Sequence, residues 1–550
     1  MKKYILYSLS LLLAISFSLT SCGSFLDENP KDQITEEDAY KNPTLVYLNT
    51  VASLYTHIGK TDQSAGLQGG DRGIYDLNTF CTDEAMLPTR AGDWYDGGLW
   101  QQLYTHDWGT KYDLVKGAWD YIYKVIAESN KSLDKLNEIL KNDPENKAVQ
   151  QYIAEVRSFR ALYYYHLVDL FGRVPIVTSS KTAMGDVKQS DRSEVFEFAW
   201  NELLESVDLL HEGRSNFPGE YYGRITKPVA YFILARLALN SEVYTHDNWT
   251  DGNRPDGKTI KLNVGEKELN AWDAVVYFCD KISELGYYDL ANEFASNFSI
   301  QNEKSIENIF TIPMDASLYK NEFYYLIRSR HYAHAAVYGQ GGWNGSCATI
   351  DAIEAFNYGK ENQDPRFDIT YYHGPVLGPT GEPVMDEGEE LVYYPSEVKL
   401  DLTGSPFVKT AGARMKKYEL DAAATNDGAS QGNDIVLYRY ADVLLMKAEA
   451  KIRKGESGDA EVNQVRNRAG ASIVKDVDLK MLLSERLREF AWEGHRRQDM
   501  VRFGTFTQKY TDRNPLPGES TGFTTVYPIH EDVLLLNTNL TQNPGYKTGE

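Results

Sequence analysis

The chain has 550 residues, a formal net charge of −22, and 38 Tyr, 21 Phe and 9 Trp. That balance excludes nucleic acid as a partner, since its phosphates would be repelled, and excludes a folded body lying flat on anionic lipid. Four cysteines and ten histidines, with no Cys-x-x-Cys and no His-Glu-x-x-His, exclude a disulfide framework and give a zinc site no support.

In chain order, MKKYILYSLSLLLAISFSLTSCGS opens with Lys2 and Lys3 and runs apolar from Ile5 to about Leu19. This predicts a secretory signal over residues 1–21, too short to span a bilayer, which takes roughly 20 apolar residues. Leu19-Thr20-Ser21-Cys22 is similar to the lipobox of bacterial lipoproteins, so Cys22 is the expected lipidation site. More than one acyl chain on Cys22 would give stable anchoring. Residues 22–42 are polar and acidic and read as the lipidated tether.

The body is expected to be mainly α, a tetratricopeptide-like helical-repeat scaffold with irregular repeats, in two regions, 43–286 and 287–550. Three-and-four spacing of apolar residues predicts helices in AVQQYIAEVRSFRALYYYHLVDLFG, TKPVAYFILARLALNSEVY, AWDAVVYFCDKISELG, DIVLYRYADVLLMKAEAKIRKG and LKMLLSERLREFAWEG. Small residues such as Ala235, Ala238, Ala448 and Ala450 would let neighbouring helices approach closely. Two stretches lack any period and are rich in Gly, Asn, Asp and Trp: about 57–112 and about 287–430. Loops of that length in a compact domain usually carry function, so a binding site is expected there.

Several literal motifs do not survive their context. GNRPDGKT, residues 252–259, spells a phosphate loop, but SEVYTHDNWTD before it is no buried strand and TIKLNV after it is no helix. GASQG, residues 428–432, spells a nucleophile elbow without a strand entering Ser430 or a helix leaving it. Asp247, Asp251 and Asp256 fail calcium-loop spacing, because Lys258 stands where the twelfth-position Glu belongs. The charged run ERLREFAWEGHRRQDMVRFG reads as an ion-pair lattice between helices rather than an active centre. Of Cys81, Cys279 and Cys347, at most one pair could form.

Five segments carry a resemblance. CGSFLDENPKDQITEEDAY, AEVRSFRALYYYHLVDLFGRVPIV, RYADVLLMKAEAKIRKGE with VNQVRNRAG, SERLREFAWEGHRRQDMVRFG and YPIHEDVLLLNTNLTQNPGY resemble, in order, the SusD/RagB family of outer-membrane lipoproteins. A compact SGDA replaces the longer repeat start usual before VNQVRNRAG. The resemblance implies a non-enzymatic, cell-surface glycan-binding lipoprotein without cofactor, capping a SusC-like TonB-dependent transporter and passing it oligosaccharide. A lipid-anchored glycoside hydrolase, or a peptide-capturing lipoprotein on the same fold, are the competing readings.

The family's binding residues vary with the glycan, so candidates come from chemistry. Sugars present a CH face to aromatic rings and hydroxyls to carboxylates, amides and guanidinium groups. TRAGDWYDGGLW offers Arg90, Asp93, Trp94, Tyr95, Asp96 and Trp100, and YGQGGWNGS offers Tyr338, Trp343 and Asn344. No metal site is expected.

Overall fold

The computed structural model describes residues 42–59, 63–315, 318–319 and 321–547. The expected signal, Cys22 and the tether up to residue 41 lie outside the described residues. Within residues 42–49, the helix Pro43–Tyr47 is capped by Asn42, whose side chain accepts from the Thr44 N–H at 2.9 Å. From residue 50 onward the chain is one compact unit.

Among the described residues, nine helices of eight residues or more carry that unit's scaffold: α1 (Asp113–Asn142), α2 (Lys147–Phe171), α3 (Arg192–Leu204), α4 (Lys227–Leu239), α5 (Ala271–Glu284), α6 (Tyr440–Lys454), α7 (Asp459–Arg468), α8 (Leu479–Phe490) and α9 (Arg496–Phe503). Each packs on its neighbours in turn, α1 on α2, α2 on α3, α4 on α5, α5 on α6, and α6 on α7 and α8. The α5–α6 contact joins helices from either side of residue 286.

Local chemistry sets the ends. The Asn146 side chain accepts from the Val149 N–H at 3.2 Å to start α2, and Gly172, at φ 68°, stops it. Gly455 ends α6 in the left-handed region at φ 92°, after Arg453 and Lys454. The predicted single helix through 244 breaks at Asn240, because its side chain donates back to the Arg236 carbonyl at 2.9 Å, and a short helix Ser241–Tyr244 follows.

Short strands fasten the irregular regions. Strand β1 (Ala85–Met86) pairs antiparallel with β5 (Cys347–Ala348), and β4 (Asn308–Ile312) with β6 (Ile435–Arg439), so the helix predicted over DIVLYRYADVLLMKAEAKIRKG begins only at Tyr440 and its buried first residues form a ladder instead. Between them, β2 (Lys261–Val264) and β3 (Lys267–Asn270) form a hairpin. The phosphate-loop letters therefore lead from a helix end into a β-hairpin, and α5 confirms that AVVYFCD is helical.

The charged run is a buried lattice. Arg439 donates to both carboxylate oxygens of Glu493 at 2.8 and 2.9 Å, to Glu307 at 2.7 Å and to Glu489 at 2.5 Å. Arg366 bridges Glu485 and Glu489 at 2.7 and 2.8 Å, and Arg486 bridges Asp442 and Asp499 at 2.7 and 2.8 Å. Burial alone would raise these carboxyls, but Arg366, Arg488 and Arg466 hold Glu485 near 2, and Arg236 with Arg486 hold Asp442 near 2. Cys81, Cys279 and Cys347 are buried free thiols.

Candidate functional site

The β1–β5 ladder brings the two irregular regions together, since Trp94 lies shortly after β1 and Trp343 shortly before β5. The Trp94 indole N–H donates to the Trp343 carbonyl at 3.0 Å, across 249 residues of sequence. The two rings lie 6.4 Å apart at 38°, and Tyr324 stacks on Trp343 at 5.3 Å and 22°. All three rings are half-buried, forming an aromatic platform with partly open faces.

The backbone beneath is over-determined. Residues 343–345 are pinned along 327–330, with N–H groups donating from Trp343 to Ile327, from Asn344 to Arg330 and from Gly345 to Arg328 at 2.8, 2.8 and 2.6 Å. A Cβ at Gly345 would sit 2.5 Å from the Trp94 ring, so only glycine leaves room for that indole. Trp94 itself is held at φ 61°, and Arg72, Ala91, Asp96, Asn344, Asn426 and Asp427 share the left-handed region. Eleven of the fourteen non-glycine residues in that conformation, among those described, lie in the two irregular stretches 57–112 and 287–430. Such strain persists only where the surroundings enforce it, and it concentrates at ligand sites.

Polar groups edge the rings. Asp93 accepts from the exposed Tyr332 hydroxyl at 2.8 Å. Asp96 accepts from Arg72 and from the Trp100 indole, both at 2.9 Å. Glu322 accepts from the Tyr324 hydroxyl and from the Asn426 amide, the latter at 2.5 Å. Burial, reinforced by Glu322, pushes the Tyr324 hydroxyl well above its ordinary range, so it stays a donor. Tyr95 projects freely, 56% exposed.

Three of the expected ligand contacts are corrected. Trp100 is 1% exposed and packs edge-on beneath Trp94 at 6.0 Å, so it supports the platform and offers no face of its own. Arg90 is buried and spends its donors on the carbonyls of Gly345, Val408 and Ala411 at 3.2, 2.9 and 3.0 Å. Burial, with Arg414 nearby, lowers its guanidinium to about 9, still charged at neutral pH. Asn344 is 3% exposed, because its backbone turns inward at φ 49°. A fourth candidate, Tyr338, sits apart from the tryptophans, 6.0 Å from His334. Tyr324, Tyr332, Glu322 and Asn426 were not singled out by the sequence; no spacing rule links FYYLIRSR to TRAGDW.

Below the platform, Arg328 is fully buried, donating to Asp76 at 2.7 and 3.0 Å and to Asp71 at 2.9 Å, with its guanidinium 4.8 Å above Phe80. Asp76 in turn accepts from the Arg72 N–H at 2.7 Å. One rigid network therefore sets the height of the aromatic platform from both regions at once.

The fold is mainly helical and carries the aromatic platform on long loops, and comparison with known proteins places it in a family. The C-terminal part, residues 306–546, matches the profile of the SusD family, and residues 25–239 match the profile described as starch-binding associating with outer membrane. The chain belongs to the SusD/RagB family. It is 25% identical to the starch-binding protein SusD of Bacteroides thetaiotaomicron, over 99% of this chain and all of that one. It is likewise 25% identical to SusD-like protein P2 of Formosa agariphila, over 99% of this chain and all of that protein. Among solved structures, a SusD-like protein of Bacteroides fragilis superposes with TM-score 0.70 at 19% identity, covering 94% of this chain and all of that one. Surface glycan-binding protein A of B. thetaiotaomicron, in complex with laminarihexaose, superposes with TM-score 0.68 at 17% identity, covering 93% of this chain and all of that one. At those identities the superpositions establish the fold. Among the described residues, no helix is long and apolar enough to cross a membrane.

Proposed function

We propose that this chain is a cell-surface lipoprotein, anchored in the outer membrane through Cys22, that captures oligosaccharide and delivers it to a SusC-like TonB-dependent transporter. The observation that carries the reading is the Trp94–Trp343–Tyr324 platform, three half-open rings edged by carboxylates, hydroxyls and amides. A sugar ring lays its CH face on an indole while its hydroxyls exchange hydrogen bonds with Asp93, Tyr95 and Asn426 at the rim. Starch and laminarin, named for relatives, supply the first probes.

The protein acts by binding and not by cleavage. Asp93, Asp96 and Glu322, the carboxylates edging the rings, are each already held by a neighbouring donor. That arrangement stiffens a platform, whereas glycoside hydrolysis requires an acid and a base free to exchange protons across the scissile bond.

The test is calorimetric titration of the purified protein with maltoheptaose, laminarihexaose and a wider glycan panel, alongside chromatography of each mixture. Saccharide binding without new products supports the reading. Product formation, or binding of peptides and no glycan, overturns it. Affinity purification from native outer membrane should recover a TonB-dependent transporter; its absence would remove the delivery step alone.

A further inference from the structure

The octapeptide at 252–259 plays no part in the aromatic platform, yet its Gly252 and Arg254 line a separate cavity of about 300 Å³. The cavity lies among the first turn of α3, the loop after Tyr244 and segment 504–525. Two residues of its wall carry three buried N–H groups without a protein acceptor: Nε and Nη2 of Arg192, and Nε1 of Trp249. Among the described residues of the wall, no buried side-chain acceptor is in the same condition. The imbalance is entirely on the donor side.

Arg192 is 1% exposed and Trp249 6% exposed. The Arg192 guanidinium lies 5.5 Å from the centroids of both Tyr244 and Trp249, which fix its plane without neutralising its charge. Among the described residues Arg192 forms no ion pair. The acids closest in sequence or contact are committed elsewhere: Asp191 and Glu194 close the capping box of α3, the Asp191 N–H donating to Glu194 at 2.9 Å, and Asp247 accepts from the Ser193 N–H and hydroxyl at 2.7 and 2.8 Å. Asp169 accepts from Arg497 at 2.9 Å and from the Tyr244 hydroxyl at 2.8 Å. Asp251 is bonded to His246 at 2.8 Å and to the Asn253 N–H at 2.7 Å. Arg254 adds a second positive charge while donating to the carbonyls of Arg502 and Val501, both at 3.0 Å. Burial lowers Arg192 and Arg254 each to about 10, so both remain cationic at neutral pH.

An uncompensated buried guanidinium is costly, and a planar fork matches two oxygens of a carboxylate or sulfate. We propose that this cavity binds an oxyanion in the fork of Arg192, with the Trp249 indole N–H as a third donor and Arg254 as the second cation. The volume stands at the lower end of small-molecule sites, which span roughly 300–1,000 Å³. It accommodates the oxyanion alone or one borne on a single acidic sugar unit.

The test is thermal-shift and calorimetric titration of the full protein with sodium sulfate, sodium phosphate, glucuronic acid and glucose, at ionic strength held constant with sodium chloride. Saturable stabilisation by oxyanions and none by chloride or glucose is expected. A preference for glucuronic acid identifies a sugar-borne group, and a preference for sulfate or phosphate a free ion. Arg192→Met should weaken oxyanion binding at least tenfold, and Trp249→Phe, which keeps the ring and removes the donor, about threefold or more. If Arg192→Met fails to fold, Trp249→Phe decides. Chloride matching sulfate at equal ionic strength, or a folded variant binding like the parent, would overturn the proposal and leave Arg192 as a hydrated packing residue.

Discussion

Trp343→Ala isolates the proposed contact, because the substitution removes the ring and leaves its anchoring backbone in place. The Trp343 carbonyl still accepts from Trp94 at 3.0 Å, and its N–H still donates to Ile327 at 2.8 Å. Lost with the ring are its pairings with Tyr324 and Trp94, at 5.3 and 6.4 Å. Each such pair contributes about 0.5–1.5 kcal/mol beyond its area burial, so the pairings alone account for about 1–3 kcal/mol, to which the lost apolar area of the half-buried ring adds; the variant should be destabilised but remain folded. A tryptophan at the centre of a binding surface typically contributes about 2 kcal/mol or more. At about 1.4 kcal/mol per tenfold, affinity for the recognised glycan should fall about thirtyfold or further. Calorimetry gives the affinity, and circular dichroism with thermal melting confirms the fold. A folded variant that binds the parent's glycan with unchanged affinity would refute the platform as the binding surface.

Gly345→Ala should act through Trp94. Its new Cβ would stand 2.5 Å from the indole, and such overpacking costs about 1–3 kcal/mol. A shifted tryptophan emission and weakened glycan binding are the readouts; a spectrum identical to the parent's would mean the indole does not rest there. Arg439→Met leaves three buried carboxylates short of a partner, and breaking buried pairs of this kind costs about 3–5 kcal/mol. With an unfolding entropy of about 2.1 cal/mol/K per residue over roughly 500 residues, the melting midpoint should drop about 4 °C. An unchanged midpoint would show the lattice to be energetically idle.

Acid should unfold the protein through the same lattice. Glu485 and Asp442 sit near 2 in the fold, against about 4.3 and 3.9 unfolded. Their contribution is present above pH 4.5 and disappears as pH falls from there to 2, which denaturant titrations across that window will register. Glu84 has the opposite sign, since burial raises it to about 8 while it accepts the Trp492 N–H at 2.8 Å. Its contribution is full below pH 4.3 and is lost as pH rises through 8, falling by about 1.4 kcal/mol for each pH step of one between those limits. Glu84→Gln should therefore gain stability over the parent between pH 5 and 9; a constant difference would place Glu84 in water.

Much of this molecule is written locally. The three-and-four spacing in residues 148–172 and 271–286 is visible in any window of that length, and α2 and α5 form there. The glycine after Arg453 and Lys454, and the lack of a strand before Gly252, are equally local, and both hold in the fold. Alternating charges in 485–504 give one side of the lattice, because i, i+3 and i, i+4 positions share a helix face, while its partners Arg366, Arg439, Asp442 and Glu307 come from distant segments. The two Gly- and Trp-rich stretches do converge on the same place.

What each residue does there was not local. Trp94 and Trp100 are six positions apart in one stretch, yet one is a half-open ring and the other a buried support. Arg90 has the composition of a ligand contact and the position of a strut, since its acceptors lie more than 250 residues away. Helical period, caps and charge alternation depend on neighbours within a turn or two, so sequence alone indicated five helices of the scaffold, while Asp113–Asn142, Arg192–Leu204 and Asp459–Arg468 emerged only in the structure. In irregular chain, exposure is set by whichever distant backbone packs against each side chain. Only the tertiary structure could therefore decide that Trp94, Trp343 and Tyr324 form one surface, and that the discarded phosphate-loop letters border a cationic cavity.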